Sequence, residues 1–187
     1  MKKLFTICCL ATLLFSGNAY SQISIGAGVG ILNQIIEDVE TDAHFGGEIY
    51  AKFEVSDAFR VGASLGFYNK TTDVFGFKVS TKFIPVSVSG EYLFLDGNLR
   101  PYVGVHLGTM LVASRVDSEE DSEGYFNVSP VAGIEFNIND NLGLNLNVKY
   151  GVTFLENGFG ENDTFTTLSP NVGFFYRLEA FREVTFI

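Results

Sequence analysis

Beyond the N-terminal segment, two histidines have side chains that suit general acid–base chemistry: His44 and His106. A hydrolase would need a serine nucleophile beside one of them and a third group that orients the imidazole. Ser64, Ser129 and Ser169 share a face with His106 in the strands proposed below, but no spacing places any of them next to it. We therefore interpret His106 as a hydrogen-bonded interior residue, and a hydrolase that uses it is the weakest alternative.

Cofactor chemistry finds little support in the chain. Both cysteines, Cys8 and Cys9, fall in the N-terminal leader, so the mature chain has no thiol and no cysteine–metal site. The glycines at 26, 28 and 30 resemble a nucleotide loop only superficially, because no helix follows them. We expect no cofactor, no catalytic residues and no enzymatic activity.

Carboxylates are concentrated in polar stretches that separate the proposed strands. Such groups can bind Ca²⁺ loosely or share divalent ions with lipid phosphates, but no EF-hand-like pattern is present. We interpret them as a solvated acidic surface on the long connections. This acidic surface consists of Glu37, Asp38, Glu40, Asp42, Asp117, Glu119, Glu120, Asp121 and Glu123.

The N-terminus, MKKLFTICCLATLLFSGNAYSQ, has the three parts of a secretory signal peptide. Lys2 and Lys3 precede an apolar run that ends at Phe15, and Ala19-Tyr20-Ser21 is a small-x-small cleavage pattern. We predict that residues 1–21 are removed. The net charge then changes from −10 to −12, because two lysines and no acids are lost. A chain this acidic is a poor candidate for binding nucleic acid.

Period-two alternation of apolar and polar residues dominates the mature chain, as in GEIYAKFEV at 47–55. Short turn signals at 56–58, 96–98 and 139–141 alternate with longer polar stretches at 33–43, 69–75, 113–125 and 155–164. Short turns at one end and long loops at the other are typical of a bacterial outer-membrane barrel. The predicted strands lie near residues 23–32, 47–55, 59–68, 76–94, 101–112, 126–138, 142–154 and 165–178.

The volumes of the two strand faces decide which one points inward. The interior of an eight-stranded barrel is only wide enough to be filled by side chains. The apolar faces, rich in Phe, would overfill it, whereas the faces rich in Gly, Ser and Asn fit. We therefore predict that the apolar faces meet lipid and that four acids and four bases line the lumen. This lumen ion network comprises Glu48, Lys52, Glu54, Arg60, Glu91, Glu135, Lys149 and Arg177. We interpret it as a plug that stiffens the barrel, with an ion path as the alternative.

The fourth strand does not follow this scheme. Phe77, Val79 and Phe83 share one parity, while Ile84 and the apolar residues after it take the other. A β-bulge near Phe83-Ile84-Pro85 would bring both sets to the lipid face.

Three segments carry a resemblance to a known family: ISIGAGVGI, LRPYVGVHLG and GFFYRL. Over residues 22–178 the chain resembles the small outer-membrane β-barrel family of Gram-negative bacteria, which is porin-like and has OmpA-like and OmpX-like members. The resemblance implies a location in the cell outer membrane, contact with membrane lipid and lipopolysaccharide, and insertion by the barrel-assembly machinery. Residues 179–187 are left as a C-terminal tail or the end of the last strand.

The sequence therefore predicts an all-β protein, an eight-stranded antiparallel transmembrane β-barrel with short periplasmic turns and longer extracellular loops. We expect a non-enzymatic structural or surface-interacting protein that works through its acidic loops. The first alternative is a narrow, passive porin-like channel for small solutes. The last is a secreted, soluble, lipocalin-like carrier.

Overall fold

The computed structural model describes residues 22–35, 43–74, 77–116, 119–156 and 162–178, and within these ranges it gives only the backbone at 73–74, 77–79, 115–116, 119–121, 156 and 162. The predicted signal peptide (1–21) and the predicted tail (179–187) lie outside the described residues. Glu37, Asp38, Glu40, Asp42 and Asp117 of the predicted acidic surface do so as well.

The described chain forms one closed antiparallel barrel of eight strands, as predicted. Each strand pairs with its neighbours in sequence, and β1 also pairs with β8, which closes the sheet. Within the described ranges no helix is long and apolar enough to cross a membrane. The strands are β1 (Ile23–Ile35), β2 (Ala43–Glu54), β3 (Phe59–Val74), β4 (Phe77–Leu93), β5 (Leu99–Val116), β6 (Glu119–Asn137), β7 (Leu142–Glu156) and β8 (Asn162–Leu178).

The two faces of the wall have the inverted polarity that the side-chain volumes predict. In β2, Ile49 is 58% exposed while the adjacent Glu48 is only 7% exposed. Leu65, Val88 and Phe174 likewise project outward on other strands. An apolar exterior and a charged interior suit a barrel whose surrounding medium is hydrocarbon.

The three short turns are fixed by local hydrogen bonds. The Asn139 side-chain oxygen accepts from the backbone N–H groups of Asn141 (3.0 Å) and Leu142 (2.8 Å). The Ser56 hydroxyl accepts from the N–H of Phe59 at 3.1 Å. Gly97 has φ of 115°, a conformation that residues with a Cβ rarely adopt. These hydrogen bonds and this backbone conformation keep the connections at one end of the barrel short.

At the other end the strands run further than predicted, which corrects the loops assigned to 69–75 and 113–125: residues 69–74, 113–116 and 119–125 lie in strands. β5 and β6 stay paired to their ends, where Val116 lies opposite Glu119. Of the predicted acidic loop residues, Glu119, Glu120, Asp121 and Glu123 therefore belong to β6. Pairing satisfies the backbone hydrogen bonds without requiring an apolar face, so strands can continue where both faces meet water.

The predicted bulge in β4 is also wrong. Leu65–Val86 and Tyr68–Phe83 follow one continuous register, with no extra residue between them. Phe83 therefore faces the lumen and is 1% exposed. It packs inside the lumen against Leu32 and Met110. The apolar residues of β4 therefore face the lumen at Phe83 and lipid at Val86, and no extra residue is inserted.

Candidate functional site

The lumen is the candidate site, and the structure places all eight residues of the lumen ion network inside it. The densest part lies at one height near the short-turn end. Arg60 donates through Nε to Glu91 Oε2 at 2.5 Å, and its Nη1 lies 2.7 Å from Glu135 Oε1. Lys52 Nζ lies 3.1 Å from Glu91 and 3.8 Å from Glu135. Two bases and two acids thus compensate one another within a few ångströms.

Aromatic rings pack against this cluster. Lys52 Nζ lies 4.7 Å and Arg60 Cζ 4.5 Å from the centre of the Tyr102 ring, which is cation–π distance. The Tyr102 hydroxyl donates to Asn145 Oδ1 at 2.9 Å, and Asn145 in turn donates to the Tyr50 hydroxyl at 3.3 Å. The rings and the ion cluster are thus linked across the lumen at this height.

Two further groups of charges lie above and below the cluster. Lys149 bonds Glu48 further up the lumen. At the short-turn end, Arg100 donates to Glu54 at 2.7 Å, and Arg177 lies 4.0 Å from the same carboxylate. The eight predicted residues do not include Arg100.

The sequence did contain a signal for Arg100. It has the same parity as Tyr102 and His106, but strand five was predicted to begin one residue after it. With Arg100 included, the described lumen holds five bases and four acids.

His106 has polar partners that the sequence spacing did not identify. Ser87 Oγ lies 3.2 Å from Nδ1, and Glu91 Oε1 lies 3.4 Å from Nε2. Of the three serines considered from sequence, Ser64 joins this chain through Ser87 at 2.9 Å, and Ser129 instead donates to Asn127 at 2.6 Å.

This serine–histidine–carboxylate order resembles a hydrolase site. The cavities lined by His106 measure about 30 and 10 Å³, however. Ligand pockets usually hold several hundred Å³, so a lipid or ester substrate has no room beside these groups. The arrangement serves hydrogen bonding inside the wall.

An apolar cap closes the lumen near the long hairpins, and sequence reasoning missed it. It consists of Leu32, Tyr68, Phe83 and Met110, all buried. The Tyr68 hydroxyl donates across the lumen to Asn171 Oδ1 at 2.7 Å. The His44 ring contacts Phe83 edge-on, with the ring centres 4.7 Å apart. Large side chains therefore meet across the lumen at two separate heights.

Metal binding finds no support in the described part of the chain. No group of three or more His, Cys, Asp or Glu residues in it is positioned to hold a metal ion.

Comparison with known proteins gives a consistent picture. Residues 7–177 match the family described as the outer membrane protein beta-barrel domain. An uncharacterized protein of Haemophilus influenzae is 25% identical over 158 residues, which is 80% of this chain and 89% of that protein.

Several solved structures share the fold at low sequence identity. Ail, the attachment invasion locus protein of Yersinia pestis, in complex with the heparin analogue sucrose octasulfate, is 15% identical, with a TM-score of 0.64 over 86% of this chain and 100% of that one. Neisserial surface protein A is 14% identical, with a TM-score of 0.63 over 88% and 99%. OprG from Pseudomonas aeruginosa is 16% identical, with a TM-score of 0.57 over 87% and 97%.

Proposed function

This chain belongs to the family of outer membrane protein beta-barrel domains, and on that premise we propose that it is a non-enzymatic protein that acts through the outer ends of its strands. It lies in the outer membrane, with its apolar exterior against lipid and lipopolysaccharide. In this proposal residues 1–21 direct export and are removed, and the barrel-assembly machinery inserts the chain. The lumen ion network serves as a structural plug.

The observation that supports the proposal is that large side chains meet across the lumen at two levels. The ion cluster around Arg60 lies at one level, and the apolar cap around Phe83 lies at another. In the described part of the lumen the cavities beside His106 measure about 30 and 10 Å³, which favours action through the surfaces of the protein. The alternative, a narrow passive channel for small solutes, needs a continuous path through the same residues.

The working surface that we propose is the distal part of the β5–β6 hairpin. From Phe126 toward its N-terminal end, β6 stays paired with β5 as far as the pair formed by Val116 and Glu119. The described pairing of β6 with β7 stops at Phe126–Phe154. The hairpin thus extends past its neighbour on one side. Four acids lie on this stretch of β6, at 119–121 and 123, against one base, Arg115.

The sign of the charge favours a cationic partner. The structure of Ail contains sucrose octasulfate, which is a polyanion. The acidic hairpin of this chain should repel such a ligand and attract basic segments of proteins or peptides. The acidic residues at 37–42, outside the described part, would add to the same field.

A charge-neutralised hairpin tests this proposal. The mature protein in nanodiscs would be titrated with an oligolysine probe and with heparin. We expect the triple variant Glu120→Gln/Asp121→Asn/Glu123→Gln to bind oligolysine several-fold more weakly, since each rim charge contributes to attraction. The control variant Asp57→Asn/Asp96→Asn/Asp140→Asn removes three acids from the short turns at the opposite end. Equal losses in both variants, or no loss in the first, would contradict the hairpin as the working surface.

A further inference from the structure

Three prolines interrupt the barrel wall around one internal cavity. Cross-strand pairing is broken where Pro85 faces Gly66, where Pro130 faces Tyr150 and where Pro170 faces Ile31. Proline has no N–H to donate, so the facing carbonyl loses its partner across the strand. Three of the eight seams therefore each contain a carbonyl without its ladder hydrogen bond.

These breaks surround the cavity of about 30 Å³, which we call the chamber. Its lining includes Pro85 itself. It also includes Ser129 and Gly151, beside the second break, and Leu32 and Ser169, beside the third. All three interruptions thus lie at the height of one enclosed space.

Part of the chamber wall is polar, and residues of the apolar cap line much of the rest. Hydroxyl or amide groups reach it from Ser64, Ser87, Ser129, Asn127, Thr167 and Ser169. A smaller cavity of about 10 Å³ lies next to it and shares Ser64, His106 and Lys149 with its lining. One buried acceptor in that smaller cavity, Asn147 Oδ1, accepts no hydrogen bond from any described group, and Glu91 Oε1 has only the long contact with His106 Nε2 at 3.4 Å.

We propose that the chamber and the smaller cavity form an internal water-binding site that completes the hydrogen bonding of the wall. A water needs about 10–15 Å³ and two to four polar partners, so the chamber has room for about two waters and the smaller cavity for about one. The three carbonyls at the proline breaks and Asn147 Oδ1 are all acceptors, and water donates two hydrogen bonds. A carbonyl or carboxylate at membrane depth has no other solvent, and leaving it unsatisfied is costly.

If the chamber holds water, filling it with an apolar side chain should destabilise the barrel, whereas filling an empty cavity usually stabilises a protein. Valine at position 169 adds apolar volume to the chamber and removes a hydroxyl. If the space were empty, the substitution would stabilise the barrel. If it holds water, Ser169→Val displaces that water and leaves the neighbouring Ile31 carbonyl without a donor. We then expect the unfolding equilibrium to shift by about tenfold toward the unfolded state.

A double-mutant cycle separates lost water from simple crowding. Pro170→Ala restores an N–H opposite the Ile31 carbonyl, so that this carbonyl no longer needs water. The cost of Ser169→Val, measured by urea unfolding of the mature protein in lipid vesicles, should then fall in the Pro170→Ala background. A steric clash would cost the same in both backgrounds. An equal cost, or stabilisation of the wild-type background by Ser169→Val, would overturn the proposal.

A crystal structure of the mature protein at a resolution that shows ordered water supplies a test without variants. We expect density for water in the chamber, within hydrogen-bond distance of at least one carbonyl at a proline break. A chamber without such density would overturn the assignment.

Discussion

Arg60 illustrates how one residue can carry a functional conclusion. Its side chain is 1% exposed, and it lies between the carboxylates of Glu91 and Glu135. Removing such a charge from water is costly, and only close partners offset that cost. This arrangement does not show that the cluster stabilises the barrel. It does show that each buried charge depends on the presence of the others.

The interdependence predicts a large effect when one member is lost. Arg60→Met leaves two buried carboxylates facing each other with only Lys52 to compensate them. We expect a loss of about 3–5 kcal/mol in the free energy of unfolding, because the remaining charges become unpaired. Urea unfolding in lipid vesicles would measure it.

Arg177→Met is the matched control for this prediction. Its side chain is 11% exposed, and its distance to Glu54 is the longer 4.0 Å. We expect a loss of about 1 kcal/mol, because the ion pair is long and the hydrogen bond from Arg177 to Asn137 is a single one. Comparable losses at both positions would show that the central cluster has no special role.

Glycine positions provide a second prediction at the same scale. A Cβ at Gly46 would overlap the backbone carbonyl oxygen of Phe67, whereas a Cβ at Gly90 would meet nothing nearer than a Phe59 ring carbon at 3.6 Å. Gly46→Ala should destabilise the barrel by about 2 kcal/mol or more, because backbone cannot yield as a side chain does.

Gly90→Ala should be neutral or stabilise slightly, since alanine narrows the unfolded ensemble. The fraction of folded protein on gels, read from heat-modifiable migration, distinguishes the two variants. Equal behaviour would mean that β2 and β3 do not approach as closely as described.

At the scale of strands, the sequence predicts the barrel well where each strand has two different environments. Lipid on one side and a crowded polar lumen on the other produce strict alternation, so the count, the short turns and the inward parity of Glu48 or Arg60 follow from the sequence. The signal disappears beyond the membrane, where both faces meet water. For that reason 113–125 is predicted as a loop, although residues 113–116 and 119–125 pair as strands.

The prediction for β4 was wrong for a different reason. A parity rule that assigns every Phe to lipid cannot anticipate an apolar cap inside the lumen. Phe83 fills space against Leu32, Tyr68 and Met110, which come from three other strands. Such packing depends on cross-barrel distances that no single segment encodes.

The inward position of Phe83 predicts an asymmetry between two phenylalanines. Phe83→Ala should cost about 3–5 kcal/mol, since it leaves a cavity among packed residues. Phe174 is 58% exposed on the outer face, where lipid chains can fill the space. Phe174→Ala should therefore cost clearly less when both are unfolded by urea in the same vesicles. If Phe174→Ala were the more costly change, Phe83 would have to face lipid after all.

For the whole molecule, charge is sorted by compartment. The described lumen holds five bases and four acids, close to balance. The acidic excess of the chain lies mostly at the outer ends of the strands and in the segments between them. A balanced interior suits an obstructed lumen, and an acidic rim suits a surface that meets cationic partners.

Conductance across a planar bilayer tests this arrangement as a whole. We expect the folded wild-type barrel to be silent, because the Arg60 cluster and the Phe83 cap obstruct the lumen at different heights. Opening one level alone should leave the other closed, so Arg60→Ala/Tyr102→Ala and Tyr68→Ala/Phe83→Ala should each stay silent. Only the combined variant should give discrete steps, with a preference for cations that the acidic rim attracts.

The lipid-facing variant Val88→Ala/Phe174→Ala controls for loosening of the wall, and heat-modifiable migration verifies folding in every case. Reproducible steps from the wild type would instead establish a conducting lumen and favour the channel, because a passive path would then exist through the residues described here as a plug.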